Sequence, residues 1–190
     1  MYSSPSVSRM PQAAPEPSGP QQFRLQVEVL EVPAKRWEEF GVSRFLSSMP
    51  PATFEEQEAF WSKVERASGV KVFGRAEAIV PSGSEYRMHF PMMDVSDKQL
   101  RERSGYFFLL RPASAPEDVI QIDARIQYLG AQRRKPEDAL LRPSLYEQPL
   151  HAQLWIENGK RALLHGAARE VKKGRKNYFL ISIQPTLSAN

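Results

Sequence analysis

The longest regular pattern in this chain is an alternation of apolar and polar residues over residues 118–129. Successive side chains of a β-strand point to opposite faces, so this pattern predicts a strand with one buried face. That face would carry Ile120, Ile122, Ala124, Ile126 and Tyr128. Residues 23–32 repeat the pattern, with one face formed by Phe23, Leu25, Val27 and Val29. The fold must therefore accommodate two long, half-buried strands.

Shorter strands are predicted between and after these two. Four apolar runs bounded by turn-forming residues each indicate a strand: residues 70–73, 76–80, 85–90 and 106–110. The dipeptide Asn158-Gly159 favours a type I′ hairpin, because both positions of that turn need a positive φ. Together with a second turn near Gly174, it predicts a three-stranded meander at the end of the chain.

Two helices are predicted in the N-terminal half. The first covers residues 34–45 and places three aromatic side chains roughly on one side. The second begins after Thr53, and Glu56 three residues later completes a capping box. Gly69 suits the left-handed position that ends a helix. The polar residues 91–104 predict a loop or a short helix.

These elements predict an α+β fold: a β-rich, mostly antiparallel sheet with two N-terminal-half helices packed on it. Residues 1–21 are rich in Ser, Pro, Ala and Gln and are predicted to be a disordered leader. Residues 22–190 are predicted to form one domain. The apolar content of 41% and the charged content of 25% are those of an ordinary globular protein.

The sequence has no pattern typical of catalysis or metal binding, so we expect neither an enzyme nor a bound cofactor. The absence of cysteine excludes disulfides and thiolate metal ligands. His89, His151 and His165 lack the i, i+4 spacing of a helical metal site and are predicted to be structural. Four aromatic residues at helical spacing are predicted to pack in the core: Trp37, Phe40, Phe60 and Trp61.

Basic residues in two predicted turns are the candidate partner-binding residues. The formal net charge of +4 is a mild excess that permits contact with a polyanion. A basic turn can contact phosphates, although the scarcity of neighbouring aromatic residues disfavours stacking on nucleic-acid bases. The candidates are Arg133, Arg134 and Lys135 in the first turn, and Lys172, Lys173 and Arg175 in the second.

Six segments carry a further signal through their order along the chain. They are VEVLEVPAKRWEEFGV (27–42), FWSKVERASGVKVF (60–73), GYFFLLRP (105–112), DVIQIDARI (118–126), LWIENGKRALLHG (154–166) and FLISIQPTL (179–187). In this order they resemble the secretin family, the C-terminal module of the outer-membrane channels of type II and type III secretion systems and type IV pili. The resemblance covers most of the predicted domain.

The resemblance implies a non-catalytic structural or assembly domain of a bacterial secretion or pilus-related envelope complex. Its partners would be further copies of itself or other proteins of such a complex, with no small-molecule substrate. Residues 42–53 and 91–104 are shorter than the membrane and gate hairpins of secretins. The resemblance therefore implies a reduced form that is not itself a pore. It also implies the periplasm or outer membrane, although residues 1–21 lack the apolar segment of a signal peptide.

A second hypothesis comes from a different functional class. The chain would then be a soluble binding module that uses the same fold to bind a protein or a polyanion through its basic loops. Binding that weakens steeply with added salt would support a polyanionic partner. An enzyme of unrecognised type is the third alternative, and it would require carboxylates or histidines that converge in a cleft.

Overall fold

In the computed structural model, residues 21–93, 95, 98–116, 118–131, 145–172 and 175–188 are described. The strands are β1 (Gln22–Pro33), β2 (Lys71–Pro81), β3 (Tyr86–Pro91), β4 (Gly105–Ser114), β5 (Val119–Ala131), β6 (Leu145–Glu157), β7 (Ala162–Lys172) and β8 (Arg175–Leu187). The helices are α1 (Ala34–Glu39), α2 (Val42–Leu46), α3 (Phe54–Glu65) and α4 (Lys98–Glu102).

These strands form two antiparallel sheets. Sheet A has the strand order β2-β1-β8-β7, and sheet B has the order β3-β4-β5-β6. The prediction of an α+β, β-rich, mostly antiparallel fold is confirmed, although the strands divide between two sheets instead of forming one. Two sheets that face each other bury the apolar side of every strand, which one open sheet with helices on a small part of it could not do.

The main core lies between the two sheets. The predicted apolar faces of β1 and β5 both point into it, which confirms the two long alternations. At its centre the rings of Tyr106, Tyr128 and Phe179 contact one another, with centroid distances of 4.8 to 5.4 Å. Aromatic pairs of this kind add about 0.5–1.5 kcal/mol each to the free energy gained by burying their area.

A second core lies between the helices and the outer face of sheet A. Trp37 of α1 and Trp61 of α3 are 4% and 1% exposed, which confirms that these two aromatic residues are core. They pack against apolar side chains on the face of sheet A that points away from sheet B, among them Leu30 of β1, Leu163 of β7 and Leu180 of β8. The chain therefore has three layers: helices, sheet A and sheet B.

The helix predictions hold with two corrections. The predicted helix 34–45 is divided into α1 and α2, because Gly41 adopts a left-handed conformation with φ of 62° between them. Helix α3 begins at the predicted capping box, in which Thr53 and Glu56 bond each other's backbone N–H groups. It ends at Glu65, so Gly69 lies in the following turn and not at the helix end, although its φ of 87° is left-handed as predicted.

The predicted C-terminal meander is partly wrong. β7 and β8 form the expected hairpin, but β6 pairs with β5 and not with β7. The turn Asn158-Gly159 instead carries the chain from sheet B to sheet A. Only Gly159 has a positive φ, so the turn is not type I′. The turn is held by β8: Gly159 N donates to Pro185 O at 2.9 Å, and Leu187 N donates to the side-chain Oδ1 of Asn158 at 2.8 Å.

The strands lie in a cyclic order around the core. Each strand lies beside the next one in sequence, and β8 returns to pair with β1. Among the described residues, backbone pairing is interrupted at two seams, between β2 and β3 and between β6 and β7, where the chain crosses between the sheets. The two sheets therefore form a sandwich, and in the described part of the chain each sheet keeps two edge strands.

Candidate interaction surfaces

The edges of sheet B are its first candidate surface. β3 forms one edge and β6 the other, and in the described part of the chain each pairs with a single neighbouring strand. β6 has 13 residues and β3 has 6, so β6 offers the longer row of backbone N–H and C=O groups. Unpaired edge groups of this kind are templates for pairing with another chain.

The outer face of sheet B is the second candidate surface. Helices α1 to α3 pack on sheet A, on the far side of the molecule. The polar residues of β5 that alternate with its core residues point outward on this face, as predicted for residues 118–129: Gln121, Asp123, Arg125 and Gln127. The outer face thus combines polar side chains of β5 with residues from the other three strands of sheet B.

Strand register arranges this face in rows. In one row Arg87, Leu109, Arg125 and His151 lie opposite one another on β3, β4, β5 and β6. In the next row the corresponding residues are His89, Phe107, Gln127 and Pro149. The two rows line a shallow groove of about 720 Å³. We refer to this surface, defined by Arg87, His89, Phe107, Leu109, Arg125 and His151, as the sheet B groove.

The floor of the sheet B groove is apolar. Phe107 and Leu109 occupy its middle, and the ring of His89 stacks on Phe107 with a centroid distance of 4.0 Å and an interplanar angle of 8°. His89 Nε2 also lies 2.9 Å from Ser104 O, which holds the imidazole in place. Sequence reasoning missed this floor because it treated residues 106–110 as a single apolar run. A run that is apolar at every position is itself a signal for apolar residues on both faces of a strand.

The carboxylates of this face already have partners. Asp123 Oδ1 lies 2.7 Å from His151 Nε2, and Gln127 donates to Glu147 at 2.6 Å. The guanidinium groups of Arg87 and Arg125 make only long contacts with neighbouring carboxylates. Arg125 is 63% exposed and lies 3.8 Å from Asp123, and Arg87 is 77% exposed and lies 3.5 Å from Glu85. Both distances exceed the roughly 2.7–2.9 Å of a charge-assisted hydrogen bond, so both groups keep donors for a ligand.

The predicted basic residues are only partly described. Arg133, Arg134, Lys135 and Lys173 lie outside the described residues. The backbone of Lys172 ends β7 and pairs with that of Arg175, which is exposed at the start of β8. This pairing confirms the β7–β8 hairpin, whereas residues 173 and 174 between the strands lie outside the described residues, and the role of these basic residues in binding stays a prediction.

The three histidines occupy separate places. His89 and His151 are on the outer face of sheet B, whereas the ring of His165 packs edge-on against Trp37 at 4.9 Å. In the described ranges no group of three His, Cys, Asp or Glu side chains is arranged to hold a metal ion.

A charged cluster joins α3 to sheet A. Arg161 lies 3.2 Å from Glu28 and 2.9 Å from Glu58, and its guanidinium carbon is 4.9 Å from the centre of the Trp61 ring. Nearby, Lys160 donates to Glu55 at 2.7 Å. This hydrogen bond lowers the pKa of Glu55 and raises the pKa of Lys160. The cluster is explained by helix packing, because it closes the outer face of sheet A.

Comparison with known proteins supports the fold and no closer relationship. No protein-family model matches the chain, and no curated protein is similar to it in sequence. Among solved structures, the type II secretin GspD from enteropathogenic Escherichia coli matches 90% of this chain over 70% of its own length, with 10% identity and a TM-score of 0.50. GspD from E. coli K12 matches 90% of this chain with a TM-score of 0.48 and 8% identity. The secretin domain of InvG from the Salmonella SPI-1 injectisome also matches 90% of this chain, with a TM-score of 0.44 and 10% identity. The chain spans 51% of the length of that GspD and 64% of that of InvG. The likeness to GspD from enteropathogenic Escherichia coli, at a TM-score of 0.50, shows that the fold is secretin-like.

None of the helices in the described part of the chain is long and apolar enough to cross a membrane.

Proposed function

We propose that this chain is a non-catalytic, secretin-like assembly domain that associates with further copies of itself through the two edges of sheet B. The observation that supports it is the likeness of the fold to a type II secretin, combined with an edge strand at each side of sheet B. In this proposal the chain belongs to a bacterial secretion or pilus-related envelope complex and does not form the pore.

Strand direction favours head-to-tail pairing of these edges. Sheet B is antiparallel throughout, so β3 and β6 run in opposite directions. If β6 of one copy lies beside β3 of the next, the alternation of strand directions continues without a break. Such an interface uses two different surfaces of the same chain, and it generates a ring if the rotation closes and a filament if it does not.

The absence of catalysis is part of the proposal. His89 and His151 are each held by a neighbour on the outer face of sheet B, and the buried Glu31 carboxylate accepts bonds from Arg169 and Asn177. Groups engaged in this way are suited to maintaining the fold. A general acid or base would need a pKa near neutrality and access to a substrate.

The first test is the mass of the purified chain, measured by light scattering over a dilution series without detergent. Assembly predicts a mass many times the 21.7 kDa of one chain, decreasing on dilution. A single chain at every concentration would contradict the proposal.

The second test identifies the edges and uses the absence of cysteine in the natural chain. Arg87→Cys on β3 is combined in turn with His151→Cys, Gln153→Cys or Trp155→Cys on β6, which samples the register between copies. Residues opposite each other on paired strands lie close enough for a disulfide. At least one double variant should form a ladder of linked chains under mild oxidation, whereas each single variant should stop at dimers.

The matched control replaces the β3 cysteine with one on sheet A. Ile79→Cys on β2 is exposed but belongs to the other sheet. Combined with the same β6 cysteines it should form only the products of random collision. Equal ladders from the control pairs, or none from the β3–β6 pairs, would exclude these edges as the interface.

A further inference from the structure

The two sheets differ in how their outer faces are covered. On sheet A the outward apolar residues Leu30, Leu163 and Leu180 are buried beneath the helices. On sheet B, within the described part of the chain, no helix covers the floor of the groove, and Phe107 and Leu109 are half-buried. An apolar surface within a face that otherwise carries charged residues is typical of a place where a partner binds.

The charges around the floor indicate what kind of partner fits. Arg87 and Arg125 lie in the same row on either side of Leu109. Because neighbouring strands are about 4.8 Å apart, their Cα atoms are separated by roughly 10 Å. The nearby carboxylates of Asp123 and Glu147 are engaged by His151 and Gln127. The groove therefore presents two exposed guanidinium groups, whose contacts with Glu85 and Asp123 are long, with an apolar surface between them.

This arrangement fits a peptide better than a nucleic acid. One face of the Phe107 ring is already covered by His89, which removes half of a base-stacking platform. Glu85 lies beside Arg87 and Asp123 lies beside Arg125, and their negative charge would repel a continuous row of phosphates. A peptide can place separate carboxylates on the two guanidinium groups and an apolar side chain between them, because Arg binds carboxylates bidentately.

We propose that the sheet B groove binds an acidic peptide segment of a partner protein, with carboxylates on Arg87 and Arg125 and a bulky apolar side chain on Phe107 and Leu109. This binding uses side chains on the face of sheet B, whereas the proposed self-association uses the backbone groups of its edge strands. It places a partner-binding function on the surface opposite the helices.

The experiment selects peptides from a random library displayed on phage, using the full chain as the target. Selected peptides are then labelled, and their binding is measured by fluorescence anisotropy to the natural chain, to Arg87→Gln/Arg125→Gln and to the control Arg24→Gln. Arg24 carries the same charge on the outer face of sheet A and pairs with Glu77 at 3.4 Å. The replaced side chains are exposed, and far-UV circular dichroism should show that each variant is folded.

The expected result is enrichment of peptides with at least two acidic residues close to a leucine or an aromatic residue. These should bind Arg87→Gln/Arg125→Gln about a hundredfold more weakly than the natural chain, or roughly tenfold for each lost charged hydrogen bond, and should bind Arg24→Gln unchanged. Selected peptides without an acidic excess, or equal affinity for the double variant, would overturn the proposal.

Two further probes separate the other ligand classes. A single-stranded oligonucleotide and vesicles containing anionic lipid are tested against the same three proteins. If either bound more tightly than the selected peptides and lost its binding in Arg87→Gln/Arg125→Gln, the groove would be a polyanion site and the peptide proposal would be wrong. Light scattering on the double variant should give the mass of the natural chain, so that loss of peptide binding is distinguished from loss of assembly.

Discussion

Arg161 and Glu28 form an ion pair at 3.2 Å in which each side chain is only 12% exposed. Arg161 follows the turn between β6 and β7, whereas Glu28 belongs to β1 and also pairs with Arg75. The guanidinium group further bonds Ser182 and Gln184 of β8 and Glu58 of α3. One side chain thus connects the crossover turn, sheet A and the helical layer.

Replacing this arginine should destabilise the fold strongly. Arg161→Gln would remove a positive charge beside the Glu28 carboxylate and a hydrogen-bond donor to Ser182. Breaking a buried ion pair costs about 3 kcal/mol or more. The matched change Arg24→Gln removes an exposed pair with Glu77 and should cost at most about 1 kcal/mol. Urea unfolding of both variants measures the difference. Equal midpoints would show that the Arg161 cluster stabilises the fold no more than the exposed Arg24–Glu77 pair.

Gly105 should be intolerant of any side chain. It begins β4 with φ of 113°, and a Cβ there would lie 2.0 Å from the Phe90 carbonyl oxygen. Gly105→Ala must therefore separate β3 from β4, and we expect a loss of about 3 kcal/mol or more. Gly83→Ala is the control, because its φ of 75° is also left-handed but nothing lies within 4 Å of the added atom. It should cost about 1 kcal/mol. Thermal unfolding distinguishes the two.

The Glu55–Lys160 bond predicts a defined pH dependence. The hydrogen bond from Lys160 lowers the pKa of Glu55 below its ordinary value of 4.5, so its stabilising effect is present above that pH and is lost as pH falls through the lowered value. The same bond raises the pKa of Lys160 above 10.5, so its effect is present below that pH and is lost as pH rises through the raised value.

Lys160→Gln tests this dependence directly. The difference in free energy of unfolding between the natural chain and Lys160→Gln should be constant from weakly acidic to weakly alkaline pH. It should shrink below the lowered pKa of Glu55, and a difference that persisted at strongly acidic pH would contradict the assignment. Glu55→Gln provides the reciprocal variant and should shift stability in the same pH range.

Trp155 should report on assembly through sheet B. It is 57% exposed on the edge strand β6, whereas Trp37 and Trp61 are buried. At low protein concentration we expect an acrylamide-accessible fluorescence component that Trp155→Phe removes. If β6 pairs with another copy, this component should decrease as the chain assembles. Unchanged quenching across the assembly transition would place the interface away from this part of β6.

Local sequence pattern accounts for most of the individual elements. The alternations in β1 and β5 were read correctly because a strand with one buried face has a period of two wherever it lies. The start of α3 was predicted because a capping box is completed within four residues, by Thr53 and Glu56. Such signals depend on neighbours in sequence, so one chain is enough to read them.

Strand pairing depended on residues far apart in sequence. Phe23 of β1 lies opposite Leu187 of β8, and no local pattern records that partnership. The alternation of β6 would look the same in either sheet, so the turn Asn158-Gly159 was predicted as a hairpin although it crosses between sheets. The apolar area of the two sheets decides between these arrangements, because stacking them buries both inner faces.

In the sheet B groove, too, some features are evident from the sequence and others only from the folded structure. The outward polar residues of β5, including Arg125, were evident from alternation alone. That Arg87 and Leu109 join Arg125 in one row follows from the register of three strands, which only their packed arrangement sets. Strands and caps are local and can be read from the chain, whereas pairing and surface composition arise from long-range burial of apolar area and are decided in the folded molecule.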